Sequence, residues 1–304
     1  MKKITFSSIF LALYLPVQRL PLKFHYFWGR AFTFLTRSIL HYRRDVVMTN
    51  LARSFPEKKY GELREIAKEY YNHIGEIFAE AMWFGGCRGK VERLVESGLC
   101  TIPDPEPFFQ SYRERPSVMV LSSHFGNWEL LGGFFQYFGR RMDQIPFTEK
   151  EVCVVYKKVR SGFWNDFCKV NRCAAETDHF GGYTESHNVI RYAIEHKNEH
   201  VVYVFPTDQF PYKGAARHEV PSFMNQKTYV MAGGANLAHK FGMAVYYFGC
   251  TRLEKGKYET PLIKICDDAS QMSPEEIMIK YYSILEKDIR NCPANYLWSH
   301  KRWK

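Results

Sequence analysis

The chain has 304 residues, of which 46% are apolar, 16% aromatic and 24% charged. That is room for one large core or two ordinary domains, and it is too apolar and aromatic for a disordered chain. A net charge of +10 predicts a surface that attracts phospholipid headgroups, nucleic acid or other anions, while the lack of any run of about 18 apolar residues argues against a polytopic membrane protein.

Residues Ile4 to Val17 follow Lys2 and Lys3 like the apolar stretch of a signal peptide, yet no small-x-small cleavage site comes after them. The chain continues as QRLPLKFHYFWGRAFTFLTRSIL, apolar and aromatic but interrupted by Arg19, Lys23 and Arg30. Neither stretch reaches the roughly 20 residues that cross a bilayer; the mixture suits helices lying at the headgroup boundary, with an aromatic-rich pair of core helices as the alternative. Residues 1–50 are read as a helical membrane-associating region and 51–304 as a single α/β domain. From Pro56 to Gly85, Leu63, Ile66, Tyr70, Ile74, Ile77 and Phe78 recur at helical spacing, which predicts a long amphipathic helix ending at the glycine pair.

After the proline-rich connection TIPDPEPFF come short β-branched runs: Val118 to Ser123, Val152 to Tyr156, Val201 to Phe205, Ala244 to Gly249 and Tyr258 to Cys266. Helical patterns lie between them near 127–138, 163–171, 184–198 and 228–241, the last closed by Gly242. Alternation of this kind predicts an α/β fold, a central mixed sheet flanked by helices. Glu254-Lys255-Gly256-Lys257 reads as a hairpin turn, and Ser273-Pro274-Glu275-Glu276 as the capped start of a final helix running to about Arg290.

Eight cysteines without a CxxC pair read as free, mostly buried thiols in a reducing compartment. The spacing of Cys168, Cys173 and His179 fits no common zinc pattern, so neither a metal nor a cofactor is expected. Gly233-Gly234 lacks the strand-then-GxGxxG context of a dinucleotide site and reads as close helix packing. The aromatic and basic residues from Phe24 to Arg44 come with no recognisable nucleic-acid module, so nucleic acid is not an expected partner.

The chemistry concentrates in VMVLSSHFGNWELLGGFF, residues 118 to 135. An apolar strand ends at Ser122-Ser123 and a helix begins near Asn127, so His124 falls at the carboxyl end of a strand, where α/β sheets place their sites. Glu129, in the first helical turn, is placed to fold back onto the imidazole, fix its tautomer and raise the basicity of the other nitrogen. The alternative is a turn histidine whose glutamate only caps a helix. HFGNWE resembles the signature of the lipid A late acyltransferases, within the lysophospholipid acyltransferase superfamily. RRDVVMTNLARSFPE (43 to 57), VVYVFPTDQ (201 to 209), PSFMNQKTYVMAGGANLAHKFGMAV (221 to 245) and PANYLWSHKRWK (293 to 304) are similar to further blocks of that family, in the same order.

The resemblance implies a glycerolipid-acyltransferase-like fold and transfer of a fatty acyl chain from a thioester, typically of acyl carrier protein, to a hydroxyl of an anionic glycolipid, a lipid A precursor. It also implies attachment to the cytoplasmic face of the inner membrane. It assigns His124 as general base and Glu129 as its orienting partner, with Asn127 and Trp128 in the supporting turn. Amides at the start of the following helix are candidates for the oxyanion site. Asp208 matches an acidic position of the family, with a structural cap as the alternative, and Arg172 is an anion contact. The family's arginine-and-proline motif is here VYKKVRSGFW, so Lys157, Lys158 and Arg160 either replace its arginine in holding phosphate or form a solvated basic face. FPTDQ stands where glycerolipid acyltransferases carry an FPEGTR-like block, which favours the glycolipid branch. Other glycolipid, aminolipid or lysophospholipid acceptors, and a non-catalytic anionic-lipid-binding protein, are the competing functions.

Overall fold

A computed structural model describes residues 6–157, 161–175, 183–211 and 218–303. Four helices open the chain: α1 (Phe6–Gln18), α2 (Leu22–Phe34), α3 (Arg44–Ser54) and α4 (Tyr60–Gly85), with a π-helical turn at Leu35–Ile39 joining α2 to the loop before α3. Short elements follow, α5 (Glu92–Ser97), β1 (Cys100–Thr101) and α6 (Glu106–Glu114). The sheet region then runs β2 (Val118–Ser122), β3 (Val152–Tyr156), α7 (Gly162–Arg172), β4 (Tyr183–Glu185), α8 (Val189–Glu195), β5 (Val202–Pro206), β6 (His218–Phe223) and β7 (Gln226–Val230). It ends with α9 (Gly233–Phe241), β8 (Ala244–Phe248), β9 (Thr251–Glu254), β10 (Lys257–Glu259), β11 (Leu262–Cys266) and α10 (Pro274–Asn291).

The main sheet has the order β11-β8-β2-β5-β3-β4, parallel except for β11, which pairs antiparallel with β8. Its central strands β2, β5 and β8 are buried at nearly every position because both faces are covered. Met119, Leu121, Tyr203, Phe205, Val245 and Tyr247 face a core shared with α9 and α10, whereas Val118, Val120, Val202, Val204 and Tyr246 face one built on Phe108 and Phe109 of α6. Gly234 lets α9 sit on β2: a β-carbon there would be 2.9 Å from Leu121 Cδ2, consistent with the packing role read from the glycine pair.

Several elements differ from the sequence patterns. The stretch 127–138 is two 3-10 segments, Trp128–Gly133 and Phe135–Gln144, because Gly132 packs directly on the backbone of α7 at the Arg172 carbonyl. Residues 184–198 begin as edge strand β4, and 228–241 as β7, before their helices start. Tyr258 to Cys266 is interrupted at Thr260-Pro261, so β10 joins a small sheet with β1 and β9 while β11 edges the main one. The hairpin at residues 254–257, the left-handed Gly242 cap and the Ser273/Glu276 capping box are formed as expected. All eight cysteines are free.

Helix α4 carries the N-terminal helices. His25, Gly29 and Thr33, one stripe of α2, are buried against it, and Phe32 stacks on Phe78 at 4.5 Å. The two backbones meet at Gly29 and Gly75, where a β-carbon on Gly75 would lie 2.6 Å from the Gly29 carbonyl oxygen and collide with Thr33 Oγ1. Among the described residues, no helix is long and apolar enough to cross a membrane. Gly75→Ala is therefore expected to lower stability by about 1–3 kcal/mol in denaturant titration. Gly61→Ala in the open first turn of α4 serves as the comparison and should be neutral or stabilising by about 0.5–1 kcal/mol.

Candidate active site

Parallel pairing of β2 with β5 sets Ser122 opposite Pro206, so two residues farther along both strands His124 meets Asp208. The contact is a 2.7 Å bond between His124 Nδ1 and Asp208 Oδ1, with the carboxylate almost fully buried and the imidazole 16% exposed. Burial alone would raise the Asp208 carboxyl, but the adjacent His124 and then the Arg302 guanidinium outweigh it and hold the group below the usual aspartate range. An ionised Asp208 can only accept, so Nδ1 carries the proton and donates it in this bond, which leaves Nε2 as the acceptor; there the Gln209 side-chain amide donates at 2.9 Å.

Glu129, expected to fold back onto the imidazole, pairs instead with Arg172, which donates Nε to Oε2 at 2.7 Å and Nη2 to Oε1 at 2.6 Å. The reason is steric placement: the 3-10 segment after Asn127 packs on the end of α7, and a bidentate guanidinium satisfies a half-buried carboxylate better than one imidazole N–H. Burial acts to raise Glu129, yet Arg172 keeps it below the ordinary glutamate range and is itself pushed up by the carboxylate. Trp128 bridges the two groups, its ring 5.3 Å from that of His124 and its Nε1 donating to Glu129 Oε1 at 3.2 Å.

Asn127 is a structural hinge of the turn. Its side-chain oxygen accepts from the Glu129 amide, and its Nδ2 donates to Glu80 of α4 at 2.7 Å. Glu80, which also accepts from Tyr26 and Tyr258, is fully buried, and burial raises it above the carboxylate range. Gly126 has φ +69 and lies flush against Cys250, so only glycine fits. The amides expected to face an oxyanion are largely taken: Gly126 donates to the Asn295 carbonyl, Asn127 to Cys250 Sγ and Glu129 to Asn127.

The C-terminal LWSHKRWK segment closes the far side of the Asp208 loop. Trp298 is fully buried against Phe55, Asn50 donates to the Trp298 and His300 carbonyls, and His300 Nε2 accepts from the Phe210 amide. Arg302 is buried, donates to Tyr229 and Tyr282, and supplies positive charge toward Asp208. Blocks distant in sequence thus converge on one imidazole–carboxylate pair. A family model of bacterial lipid A biosynthesis acyltransferases matches residues 1–304.

The chain belongs to that family.

No curated protein matches it. The acyltransferase gathers His124, Asp208, Glu129, Arg172, Trp128 and Asn127 around one strand end. Lys157 lies with Lys169, Arg172, Tyr156 and Tyr183 on a small hollow of about 20 Å³ beside them. Lys158 and Arg160, like His179, lie outside the described residues. Two contributors escaped sequence reading. Gln209 follows Asp208 directly, and its place one step past a strand end was the available signal; Glu80 looks like any helix carboxylate, and only its apolar neighbours in α4 hinted at burial.

In the acyltransferase, Asp208→Asn preserves shape but loses the acceptor that fixes the imidazole tautomer, so kcat is expected to fall by about 10²- to 10⁴-fold. Glu129→Gln leaves the Nδ1 bond in place and is expected to fall less, with steady-state acyl transfer as the measurement of both. Because Asp208 and Glu129 are depressed in the folded state, their stabilisation is complete above about pH 5 and is lost as pH falls through and below about 4. Denaturant midpoints followed downward from neutral pH should show this loss, reduced in Asp208→Asn.

Proposed function

We propose that the enzyme moves a fatty acyl chain from an acyl carrier protein thioester to a hydroxyl of a lipid A precursor, with His124 as general base oriented by Asp208. The observation that carries this reading is the 2.7 Å bond from His124 Nδ1 to a buried carboxylate at the carboxyl end of the sheet. With Nδ1–H donated to Asp208, Nε2 is the basic nitrogen. The Gln209 amide now bonded to Nε2 stands where the acceptor hydroxyl binds and gives way to it. As Nε2 takes the hydroxyl proton, the oxygen attacks the thioester carbonyl. The tetrahedral intermediate then expels the thiolate, which recovers the proton from the imidazolium, so no acyl-enzyme forms. Asp208 stabilises the imidazolium between the two transfers.

The Trp128 amide is the donor left for the oxyanion, since those of Gly126, Asn127 and Glu129 already have acceptors. Phe125, Trp128, Leu130, Leu131 and Phe248 line a narrow crevice of about 10 Å³ that must widen to admit the acyl chain, and the small hollow with Lys157, Lys169 and Arg172 presents cations to a phosphate of the acceptor or of pantetheine. Glu129 holds Arg172 rigid for that purpose. The region through residue 50 rests on the cytoplasmic face of the inner membrane. Its support is the row of exposed apolar side chains Leu13, Phe27, Trp28, Phe34, Ile39 and Leu40, joined by Trp164 of α7 and set among basic residues.

His124→Ala is expected to lose roughly two to four orders of magnitude in thiol release from acyl carrier protein thioester in the presence of a lipid A precursor, with unchanged thermal unfolding. Full activity in that variant contradicts the assignment.

A further inference from the structure

Away from the catalytic strand ends, the π-helical turn, α3 and α4 enclose an open pocket of about 300 Å³. Arg37 from the turn, Arg44 from the start of α3, and Arg64 and Lys68 from α4 line it, over a floor that includes Val47 and Tyr71. Lys68 is paired with Glu65 at 2.8 Å, the one carboxylate on the lining. Among the described residues, Arg37, Arg44 and Arg64 make no ion pair within 4 Å. Three guanidinium groups and Lys68 line one hollow against the single carboxylate of Glu65, and an anion seated among them offsets that excess positive charge with charge-assisted hydrogen bonds.

The backbone is bent to bring them together. His41 and Arg43 have φ of 46° and 52°, left-handed conformations that are unfavourable for residues with a β-carbon. The turn is locked by the Tyr42 amide to Thr36, by Tyr71 Oη donating to the Tyr42 carbonyl at 2.6 Å, and by Arg43 donating to Ser299. That geometry reverses the chain between Arg37 and Arg44 and turns both onto the same hollow.

The sequence neighbours of Arg37 identify the kind of anion. Phe34, Leu35, Ile39 and Leu40, on either side of Arg37 in sequence, are 59%, 42%, 56% and 62% exposed. A ligand here presents negative charge immediately beside hydrocarbon, which an acidic protein surface does not and the headgroup boundary of an anionic bilayer does. We propose that this pocket takes the phosphate of an anionic membrane lipid and sets the height and tilt of the enzyme on the bilayer. The proposal rests on the membrane-surface reading above and adds a defined headgroup site to it.

The test uses the full-length protein and sedimentation with vesicles of phosphatidylcholine alone or mixed with phosphatidylglycerol. The triple variant Arg37→Gln/Arg44→Gln/Arg64→Gln is expected to lose roughly 10- to 100-fold of its affinity for the anionic vesicles. A variant with the same change in charge elsewhere, Arg191→Gln/Lys227→Gln/Lys240→Gln, is expected to lose no more than about threefold. Should the triple variant fold poorly, the single exposed change Arg64→Gln gives the same ordering with a smaller loss. Equal losses in the two triple variants overturn the headgroup site and leave only general charge. Normal vesicle binding with a raised KM for acyl carrier protein thioester also overturns it, as does stabilisation by inorganic phosphate at matched ionic strength without loss of vesicle binding. Failure of the unaltered protein to bind either vesicle removes the membrane-surface reading itself.

Discussion

A buried carboxylate beside an imidazole sets the terms for the rest of this structure. Asp208 lies almost wholly out of water, so its charge survives only because His124 Nδ1 and Arg302 stand close to it. The parallel register of β2 and β5 brings the pair together, and a slip of either strand by one residue would turn its own member of the pair to the opposite face. The continuous apolar character of the central strands, the cover given by α9 and α10, and the docking of the C-terminal tail all keep that register in place.

The charges around the site form two separate systems. Asp208, His124 and Arg302 occupy the strand ends and the tail, whereas Glu129 and Arg172 form a bidentate pair at the junction of the 3-10 turn with α7. Trp128 lies between them, touching both. Each carboxylate has its own guanidinium, Arg302 for Asp208 and Arg172 for Glu129, while His124 acts on both, and both are held below the ordinary carboxylate range despite burial. Glu80 is the contrasting case: three neutral donors and no cation in hydrogen-bond contact leave its carboxyl raised. It acts as a neutral-leaning anchor that ties the HFGNWE turn to α4.

Legibility in the sequence followed how local each determinant is. The strand ending at Ser122, the placement of His124 after it and the capped final helix were readable because apolar runs and caps are local features. Glu129 was read as the imidazole's partner because it is five residues away, while Asp208, 84 residues away, became the partner through a strand pairing that no local pattern encodes. Helix α6 was hidden by the prolines of TIPDPEPFF, which open the helix rather than prevent it. The β6–β7 hairpin gave no turn signal because its left-handed positions are Met224 and Asn225, with no glycine. The blocks at 43–57 and 293–304 looked like separate motifs, yet Asn50 and Trp298 show them to be two sides of one packing contact.

The central claim, that the Nδ1 proton of His124 is held by Asp208 and not by Glu129, is open to direct observation. In protein labelled with ¹⁵N at histidine, the low-field imidazole N–H resonance assigned through its loss in His124→Gln should persist in Glu129→Gln and vanish or move strongly upfield in Asp208→Asn. A resonance that survives replacement of Asp208 and disappears on replacement of Glu129 contradicts the account.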